Sequence, residues 1–346
     1  MTPKLNKFKI LAGLCLSLTL FLGVLGGNNF AQTPAPPASD SAKLPEGEFR
    51  VLKVPMPSEP SSPDLVVVGD DLGIFQKRGL KMDFIGTVPT PQYVAAVVSG
   101  RIDVSPGSHI NRTIAGISAG AKILAVAGKT ESTERVPHMI GIVPKSSPIK
   151  EAKDLIGKKI GIPTIGGCNE YTPYAWLGKN GVTDPKTKVE VIVLPEKNLE
   201  QVLRQGEIDL AMIHKVPSEI VRQGEFKIIF SDYDVWGSDG GQTPFYFSTE
   251  FIKKEPETVR AFVASIAEIV NWANANPDET RAITAKRTNT SFDYVNERYY
   301  SPNAIIRPET AQVWIDLLTS YGEIKPGITL EQIYTNEFNP YYKQAN

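Results

Sequence analysis

Polar residues of the kinds that bind small ligands recur in the segments that follow predicted strands. Hydroxyl, amide, imidazole and carboxyl groups at such places can hold a small polar molecule by donating or accepting hydrogen bonds. The candidate ligand-binding residues are Ser58, Ser62, Asp64, Thr90, Gln92, Ser108, His109, Glu131, Thr164, Cys168, Asn169, Glu170, His214 and Trp236. No catalytic residue is predicted, and neither GxGxxG nor a phosphate-loop Lys-Ser/Thr is present, so nucleotide binding is disfavoured.

The most informative single stretch is residues 157–171, which combines a strand, a glycine turn and the start of a helix. The apolar segment from Lys159 to Ile162 predicts a short buried strand. A helix is predicted to begin near Cys168, with Asn169 as a suitable N-cap. Free backbone N–H groups at such a helix start favour a small polar ligand.

The chain has three histidines, His109, His138 and His214, and each is predicted at the carboxyl end of a strand. Two fall in different halves of the chain and one falls at the crossover between them. Each alone could have a purely structural role, but their joint placement predicts that at least one lines a binding cleft. No short-range ligand spacing supports a metal site, so none is predicted, although zinc is chemically compatible with histidine.

Several candidate residues also have simpler structural interpretations. A Ser or Thr at a helix start can be an N-cap, and Asp64 can complement a helix dipole. Cys168 can be a small apolar packing residue, or its thiol can have a lowered pKa at the helix start and face the ligand. Both interpretations remain open for each residue.

The charge of the ligand is suggested by Glu170, which would repel an anion unless it pairs with Lys197 or Lys215. Further acids lie in the predicted crossing loops, namely Glu131, Glu134, Asp232, Asp234 and Asp239. These residues favour a cationic, amide-like or zwitterionic ligand, on which Trp236 or Tyr171 could stack. Alternatively, the acids are solvated residues at the rim of the cleft.

Composition and charge exclude some classes of protein. The chain has 346 residues, of which 41% are apolar and 22% charged, as in globular proteins of about two domains. The net charge of −1 provides no electrostatic footprint for nucleic acid or an acidic membrane.

Residues 1–31 are predicted to be a signal peptide, because three lysines precede an apolar run over residues 10–27 and a small residue follows at Ala31. A retained membrane anchor is the alternative. A lipid anchor at Cys15 is a weaker option. The preceding segment resembles a lipobox but contains one residue too many before the cysteine. Without Cys15 only Cys168 remains, so no internal disulfide can form, and export then favours a bacterial periplasm or cell surface.

The remaining sequence is organised as a Pro-rich linker over residues 32–48 and a fold that begins at Phe49. Strands alternate with helices in two successive units, which predicts parallel α/β sheets with ligands at the carboxyl ends of strands. Two long helices, predicted over 257–274 and 309–321, are expected to complete the first unit.

The chain resembles the periplasmic substrate-binding proteins of ABC importers, in the group for nitrate, sulfonate, taurine and thiamine-pyrimidine precursors. The resemblance covers about residues 49–340. It rests on the order and spacing of four segments, which are residues 73–80 (GIFQKRGL), 97–104 (VVSGRIDV), 152–163 (AKDLIGKKIGIP) and 203–211 (LRQGEIDLA).

The resemblance implies a type II periplasmic-binding-protein fold of two parallel-sheet lobes joined by two crossing strands. Lobe 1 would comprise residues 49–137 and 239–346, and lobe 2 residues 138–238. It further implies a periplasmic, monomeric, cofactor-free binding protein that is not an enzyme. Such a protein would clamp a small polar nitrogen or sulfur compound and deliver it to a membrane permease with an ATPase partner. The alternatives are an enzyme like thiamine-pyrimidine synthase, which needs pyridoxal phosphate on a lysine, or a ligand-sensing domain.

Overall fold

The computed structural model describes Leu44, residues 49–58 and residues 60–343. These residues lie within one compact unit, Ser39–Asn346. The predicted signal peptide over residues 1–31 and, apart from Leu44, the predicted linker over residues 32–48 lie outside the described residues.

The strands have two to six residues, and the two-residue strands Thr130–Glu131 and Tyr299–Tyr300 fall where no strand is predicted. Within the described residues they are β1 (Arg50–Val54), β2 (Leu80–Phe84), β3 (Ile123–Ala127), β4 (Thr130–Glu131), β5 (Ile140–Pro144), β6 (Lys159–Ile162), β7 (Glu190–Val193), β8 (Leu210–Ile213), β9 (Phe226–Ser231), β10 (Phe245–Ser248) and β11 (Tyr299–Tyr300). β6 coincides with its predicted bounds because an apolar run between glycines leaves little choice of ends.

The strands form one five-stranded sheet in the order β7-β6-β8-β5-β9 and three two-stranded ladders. β6 runs parallel to β7 and β8, and β1 runs parallel to β2. β5 is antiparallel to both of its neighbours, and β10 is antiparallel to β3. The sheets are therefore mixed and not wholly parallel as predicted, because β5 and β10 are the strands by which the chain enters each half from the other.

The helices occupy the connections between strands and the carboxyl-terminal region. They are α1 (Leu65–Asp71), α2 (Tyr93–Val98), α3 (Ile110–Ser118), α4 (Cys168–Lys179), α5 (Glu196–Arg204), α6 (Pro217–Gln223), α7 (Asp232–Trp236), α8 (Thr249–Lys254), α9 (Pro256–Ala275), α10 (Pro277–Thr288), α11 (Pro308–Ser320) and α12 (Leu330–Ile333). None of these helices, which belong to the described part of the chain, has both the length and the apolar character needed to span a bilayer.

Some elements differ from the prediction. A strand is predicted over residues 101–105, but within it only Val104 makes an isolated bridge, to Phe247. The loop expected over residues 231–243 contains α7, since Ser231 and Asp234 form a reciprocal capping box. α10 was not predicted, because its sequence has no strong apolar stripe to signal a helix.

The core consists of several apolar clusters. α9 buries one long face, including Phe262 and Ile266, against β1, β2 and α1. α11 does not pack only with the first unit as expected. Its Trp314 lies in one cluster with Ile110 of α3 and with Ile160 and Tyr171 from β6 and α4. This helix therefore packs against elements of both units.

The two segments that connect the units lie side by side without forming a regular ladder. The Thr130 hydroxyl donates to the Gly241 carbonyl at 2.6 Å and lies 2.7 Å from the Thr243 hydroxyl. The Ser132 hydroxyl donates to the Asp232 carboxylate, whose other oxygen accepts from the Met139 amide at 3.0 Å. Side-chain hydrogen bonds thus hold together the two crossing segments.

Candidate functional site

Two adjoining cavities form a cleft beside the crossover. The larger has a volume of about 530 Å³ and the smaller about 280 Å³. Ser61, Ser62, Thr90 and Gly107 line both cavities, so the two cavities adjoin each other. The loops that supply these residues follow β1, β2 and the Val104 bridge, which places them at the ends of neighbouring strands.

The larger cavity contains Ser58, Ser62, Asp64 and Thr90 of the predicted site residues. Asp64 is the N-cap of α1, and its carboxylate accepts from the Val66 and Val67 amides at 2.9 and 3.0 Å. Asp64 thus has a structural role as the N-cap, one position before the first turn in which a dipole-complementing acid was expected, and it also lines the cavity. Burial raises the pKa of Asp64, while Lys129 and the two amides act in the opposite direction.

The smaller cavity lies between α3 and the turn before α4. Its lining contains Ser62, Thr90, Ser108, His109, Thr164, Cys168, Asn169 and His214 from the predicted set, together with Arg112, His138 and Glu196. All three histidines therefore line one cavity. They form a row in which the ring centroids of His109 and His138 are 5.4 Å apart and those of His138 and His214 are 5.1 Å apart.

The helix starts at this cavity are built differently from the prediction. Gly167 is the N-cap of α4, with extended backbone angles, and Asn169 lies inside the first turn. Asn169 is 3% exposed, and its Oδ1 has no hydrogen-bond partner. A Cβ at Gly167 would lie 2.7 Å from the Arg112 guanidinium, which explains why a residue without a side chain serves as the cap here.

Burial dominates the electrostatics of the smaller cavity. Burial lowers the pKa of His109 to about 3 and holds the pKa of His138 well below its usual value, so both rings are neutral at pH 7. Burial likewise raises the pKa of the Cys168 thiol to about 12, with a contribution from Asp232. The lowered thiol pKa considered from the sequence is thus wrong, because desolvation outweighs the helix dipole and Arg112.

Two sets of hydrogen bonds join the walls of the cleft. Arg112 of α3 donates to the Thr164 hydroxyl at 2.7 Å, and Asn111 donates to the Gly166 carbonyl at 3.1 Å. On the other side, the Ser61 hydroxyl donates to Glu196 of α5 at 3.2 Å. These contacts hold the elements around the five-stranded sheet against those of the first unit, which is a closed arrangement.

Glu196 also fixes His214. Its carboxylate accepts from the His214 backbone amide at 2.7 Å and lies 2.9 Å from Nδ1 of the ring. Burial opposes ionisation of Glu196, but His214 and Arg298 outweigh it and hold the pKa of this carboxyl at about 2. A carboxylate so stabilised keeps the His214 ring in one orientation.

Four predicted site residues do not line either cavity. Gln92 is exposed on the surface. Glu131 is paired with Arg307 at 3.2 Å, and Glu170 accepts from the Gly166 amide at 2.6 Å. Trp236 packs on Trp314, with ring centroids 4.7 Å apart. Arg307 and Trp314 are distant in the sequence from Glu131 and Trp236, so local pattern could not reveal these two roles, whereas Glu170 is engaged by its own turn.

The acids that favoured a cationic ligand have similar structural partners. Asp239 pairs with Arg307 at 2.7 Å, Asp234 caps α7, and Asp232 binds the crossover. Tyr171 packs among Tyr174, Trp314 and Tyr321 and does not line the cleft. These acidic residues therefore do not favour a cationic ligand.

Sequence reasoning missed Lys129, Arg112 and Glu196. Lys129 follows β3 and lines the larger cavity, with its ammonium donating to the Pro106 carbonyl at 3.1 Å. Arg112 lies two residues after the predicted helix start at Ile110, where its side chain could have been expected beside His109. Glu196 gives no local signal, because only tertiary structure brings it to His214.

Comparison with known proteins agrees with this architecture. Residues 65–280 match the sequence model of the family described as NMT1/THI5 like. A Brucella abortus (strain 2308) protein with the curated name "Putative binding protein" is 22% identical over 294 residues, covering 79% of this chain and 86% of that protein.

Two solved structures illustrate the shared fold. The periplasmic aliphatic sulphonate binding protein SsuA from Escherichia coli superposes with a TM-score of 0.64 at 18% identity, covering 82% of this chain and 91% of that one. A ligand-binding component of an ABC-type import system from Staphylococcus aureus, solved with zinc bound, gives 0.68 at 13% identity, covering 86% and 100%.

The fold and the cleft define a two-lobed protein of the periplasmic-binding-protein fold, as the family resemblance in the sequence indicated. Since the family match spans more than half of the chain, the chain belongs to the NMT1/THI5-like family.

Proposed function

We propose that this protein is the extracytoplasmic solute-binding component of an ABC import system. It clamps a small polar compound between two lobes, residues 49–137 with 239–346 and residues 138–238, and delivers it to a membrane permease driven by an ATPase. The observation that supports this most directly is the single cleft, lined by polar groups from both halves and bridged by Arg112–Thr164 and Ser61–Glu196. Such contacts across a cleft suit hinged closure around a ligand.

The class of ligand follows from the cleft lining and from the proteins of similar fold. Hydroxyls of Ser58, Ser62 and Thr90 face the larger cavity together with Lys129. Hydrogen-bonding groups combined with one cation suit a small polar nitrogen or sulfur compound. The similar fold of a sulphonate-binding protein and of a ligand-binding component of an ABC-type import system supports the same class. Binding without chemistry, a monomeric state and a periplasmic location belong to the same proposal.

A ligand screen followed by a transport assay tests the proposal. Thermal unfolding of the purified protein is measured with sulfonates, nitrate, taurine, guanidino compounds and pyrimidine precursors, because a ligand that binds only the folded state raises the melting temperature. Native mass spectrometry of protein purified from exporting cells identifies any compound that remains bound. We expect one class to stabilise the protein and to reduce its radius of gyration in small-angle scattering.

The transport step uses cells that lack the gene and cells to which it has been restored. Uptake of the stabilising compound should depend on the restored gene and should fall with Thr164→Val, which removes a hydroxyl at the cleft. Binding without gene-dependent uptake would contradict the import function. Turnover of the compound, or a pyridoxal phosphate Schiff base that is lost in Lys129→Met, would instead support the enzyme alternative.

A further inference from the structure

We propose that His109, His138 and Cys168 form a binding site for a divalent transition-metal ion with the preferences of Zn²⁺. The three residues come from separate elements, since His109 caps α3, His138 precedes β5 and Cys168 opens α4. They are 6%, 8% and 5% exposed, and all three line the smaller cavity. Imidazole and thiolate are the ligands that zinc and its neighbours prefer.

The distances suit a metal after a small adjustment. One donor atom from each residue lies within 4.8 Å of the other two. With Zn–N bonds of about 2.0–2.1 Å and Zn–S bonds of about 2.3 Å, tetrahedral donors lie roughly 3.3–3.8 Å apart. The longest separation must therefore shorten by about 1 Å, which rotation of a side chain provides.

Unsatisfied polar atoms at this place indicate that a partner is missing. Nδ1 of His138 is buried and has no hydrogen-bond partner, and the same holds for Oδ1 of Asn169, the residue next to Cys168. Buried polar atoms without partners are rare in folded proteins, since each costs on the order of 1–3 kcal/mol. Both residues line the smaller cavity, so a bound ion with its water would satisfy them.

His109 is arranged as a metal ligand with an outer partner. Its Nε2 lies 2.8 Å from the Gly240 carbonyl oxygen, which can only accept, so Nε2 carries the proton. Nδ1 of the neutral ring therefore keeps its electron pair, as in metal-binding histidines whose other nitrogen donates to a carbonyl. Nδ1 lies 3.1 Å from Oδ1 of Asn111, whose amide nitrogen donates to Gly166. The Asn111 backbone amide donates to the same Nδ1 at 3.5 Å, a long hydrogen bond that a metal ion in the cavity would replace.

The donor set selects against other ions. Mg²⁺ and Ca²⁺ prefer several oxygen ligands, and the three side chains supply two nitrogens and one sulfur. Three protein ligands leave a fourth position of a tetrahedral ion open toward the cavity. His214, whose Nδ1 is engaged by Glu196, lies next to His138 but is not among the three residues with close donor atoms.

This inference rests on the proposed function in one respect, because it takes the cleft as the place where the ligand binds. It names a metal ion as what the smaller cavity holds. The ion would be either the transported solute itself or a bridge to an organic ligand in the larger cavity. Zinc uptake by cells distinguishes these two cases.

The test uses purified protein freed of metal with a chelator. Zn²⁺ alone is titrated by calorimetry, and Co²⁺ alone is titrated by absorption, because a cobalt–thiolate bond gives an intense charge-transfer band. We expect one equivalent of each ion to bind and the cobalt band to be present. Cys168→Ser should abolish the band, and Cys168→Ser and His138→Gln should each weaken Zn²⁺ binding by at least about 10- to 100-fold, the loss seen even for outer partners of metal ligands.

The matched control is Ser320→Ala, at an exposed position of α11 that lines neither cavity, and it should bind both ions as the wild type does. Circular dichroism and thermal unfolding establish that each variant is folded.

Absence of saturable Zn²⁺ and Co²⁺ binding to the wild type, or unchanged binding in both ligand variants, overturns the metal site. If an organic compound still stabilises the metal-free protein and is imported, the transport function stands while the metal site fails. If ⁶⁵Zn uptake does not depend on the gene although Zn²⁺ binds, the metal site stands and the ion is not the solute.

Discussion

The guanidinium of Arg112 lies 2.7 Å from the Thr164 hydroxyl, and the same group also donates to the Ile165 carbonyl at 3.1 Å. A residue of α3 thereby holds the turn before α4 and keeps the cleft closed. Arg112→Met removes these charge-assisted hydrogen bonds, each worth about 1.5–3 kcal/mol. We expect a larger radius of gyration in small-angle scattering and a roughly 10-fold faster dissociation of the stabilising compound. Lys253→Met, at an exposed position on α8, is the control, and identical scattering from the two variants would contradict the role of Arg112.

The pH dependence of stability should depend on Glu196. Its folded pKa of about 2 lies below the ordinary value of 4.5, so the carboxylate stabilises the fold above about pH 4.5 and this contribution is lost as the pH falls toward 2. In urea unfolding, Glu196→Gln should be less stable than wild type by on the order of 2 kcal/mol at pH 7. The difference should shrink by pH 3. A difference that is constant or grows at low pH would show that Glu196 is not the group responsible, and Glu207→Gln, at an exposed site, serves as the control.

Arg307 is predicted to stabilise the crossover through two acids. It binds Glu131 at 3.2 Å and Asp239 at 2.7 Å, and the Glu131 side chain is only 9% exposed. Arg307→Met leaves this carboxylate buried without its cation, which should cost about 2–3 kcal/mol of unfolding free energy because removing one partner of a buried pair is strongly destabilising. Adding Glu131→Gln removes the isolated charge, so the double variant should be more stable than Arg307→Met alone. Additive losses in urea unfolding would rule out the coupling.

The side chains that pack against β6 are predicted to require a glycine at Gly161. A Cβ there would lie 2.4 Å from Ile208 Cδ1 and 2.8 Å from Leu199 Cδ2. Gly161→Ala should therefore lower the unfolding free energy by about 1–2 kcal/mol, as overpacking of a full core does. Gly178→Ala is the matched control, since nothing lies within 4 Å of its Cβ position and the residue is exposed in α4. That change should stabilise the protein by about 0.5–1 kcal/mol, and equal effects of the two changes would contradict this explanation.

Sequence pattern predicted those parts of the molecule that are set by local physics. β6 and α9 follow from apolar runs and periodicity, and the start of α4 near Cys168 follows from the glycine turn. The choice of Gly167 over Asn169 as the cap could not be predicted, because it depends on the approach of Arg112 from another element. The direction of β5 likewise depends on how the chain enters the sheet.

The position of the cleft at the strand ends could be predicted, but the contacts of its individual residues could not. Hydroxyl and imidazole residues after strands do line it, since strand ends determine where those loops lie. The partners of Glu131 and Trp236 come from distant segments, so their engagement away from the cleft was hidden. The closeness of His109, His138 and Cys168 was hidden for the same reason, because metal-ligand patterns in sequence reveal only ligands that are near neighbours.

The first turn of α3 combines two tasks, since His109 lines the smaller cavity while Asn111 and Arg112 grip the opposite wall. If the cleft holds a solute as proposed, release of the solute must disturb the same turn of helix that contacts it, so opening of the cleft and loss of the solute are coupled. An empty protein and a filled one should then differ in the surfaces that flank the cleft.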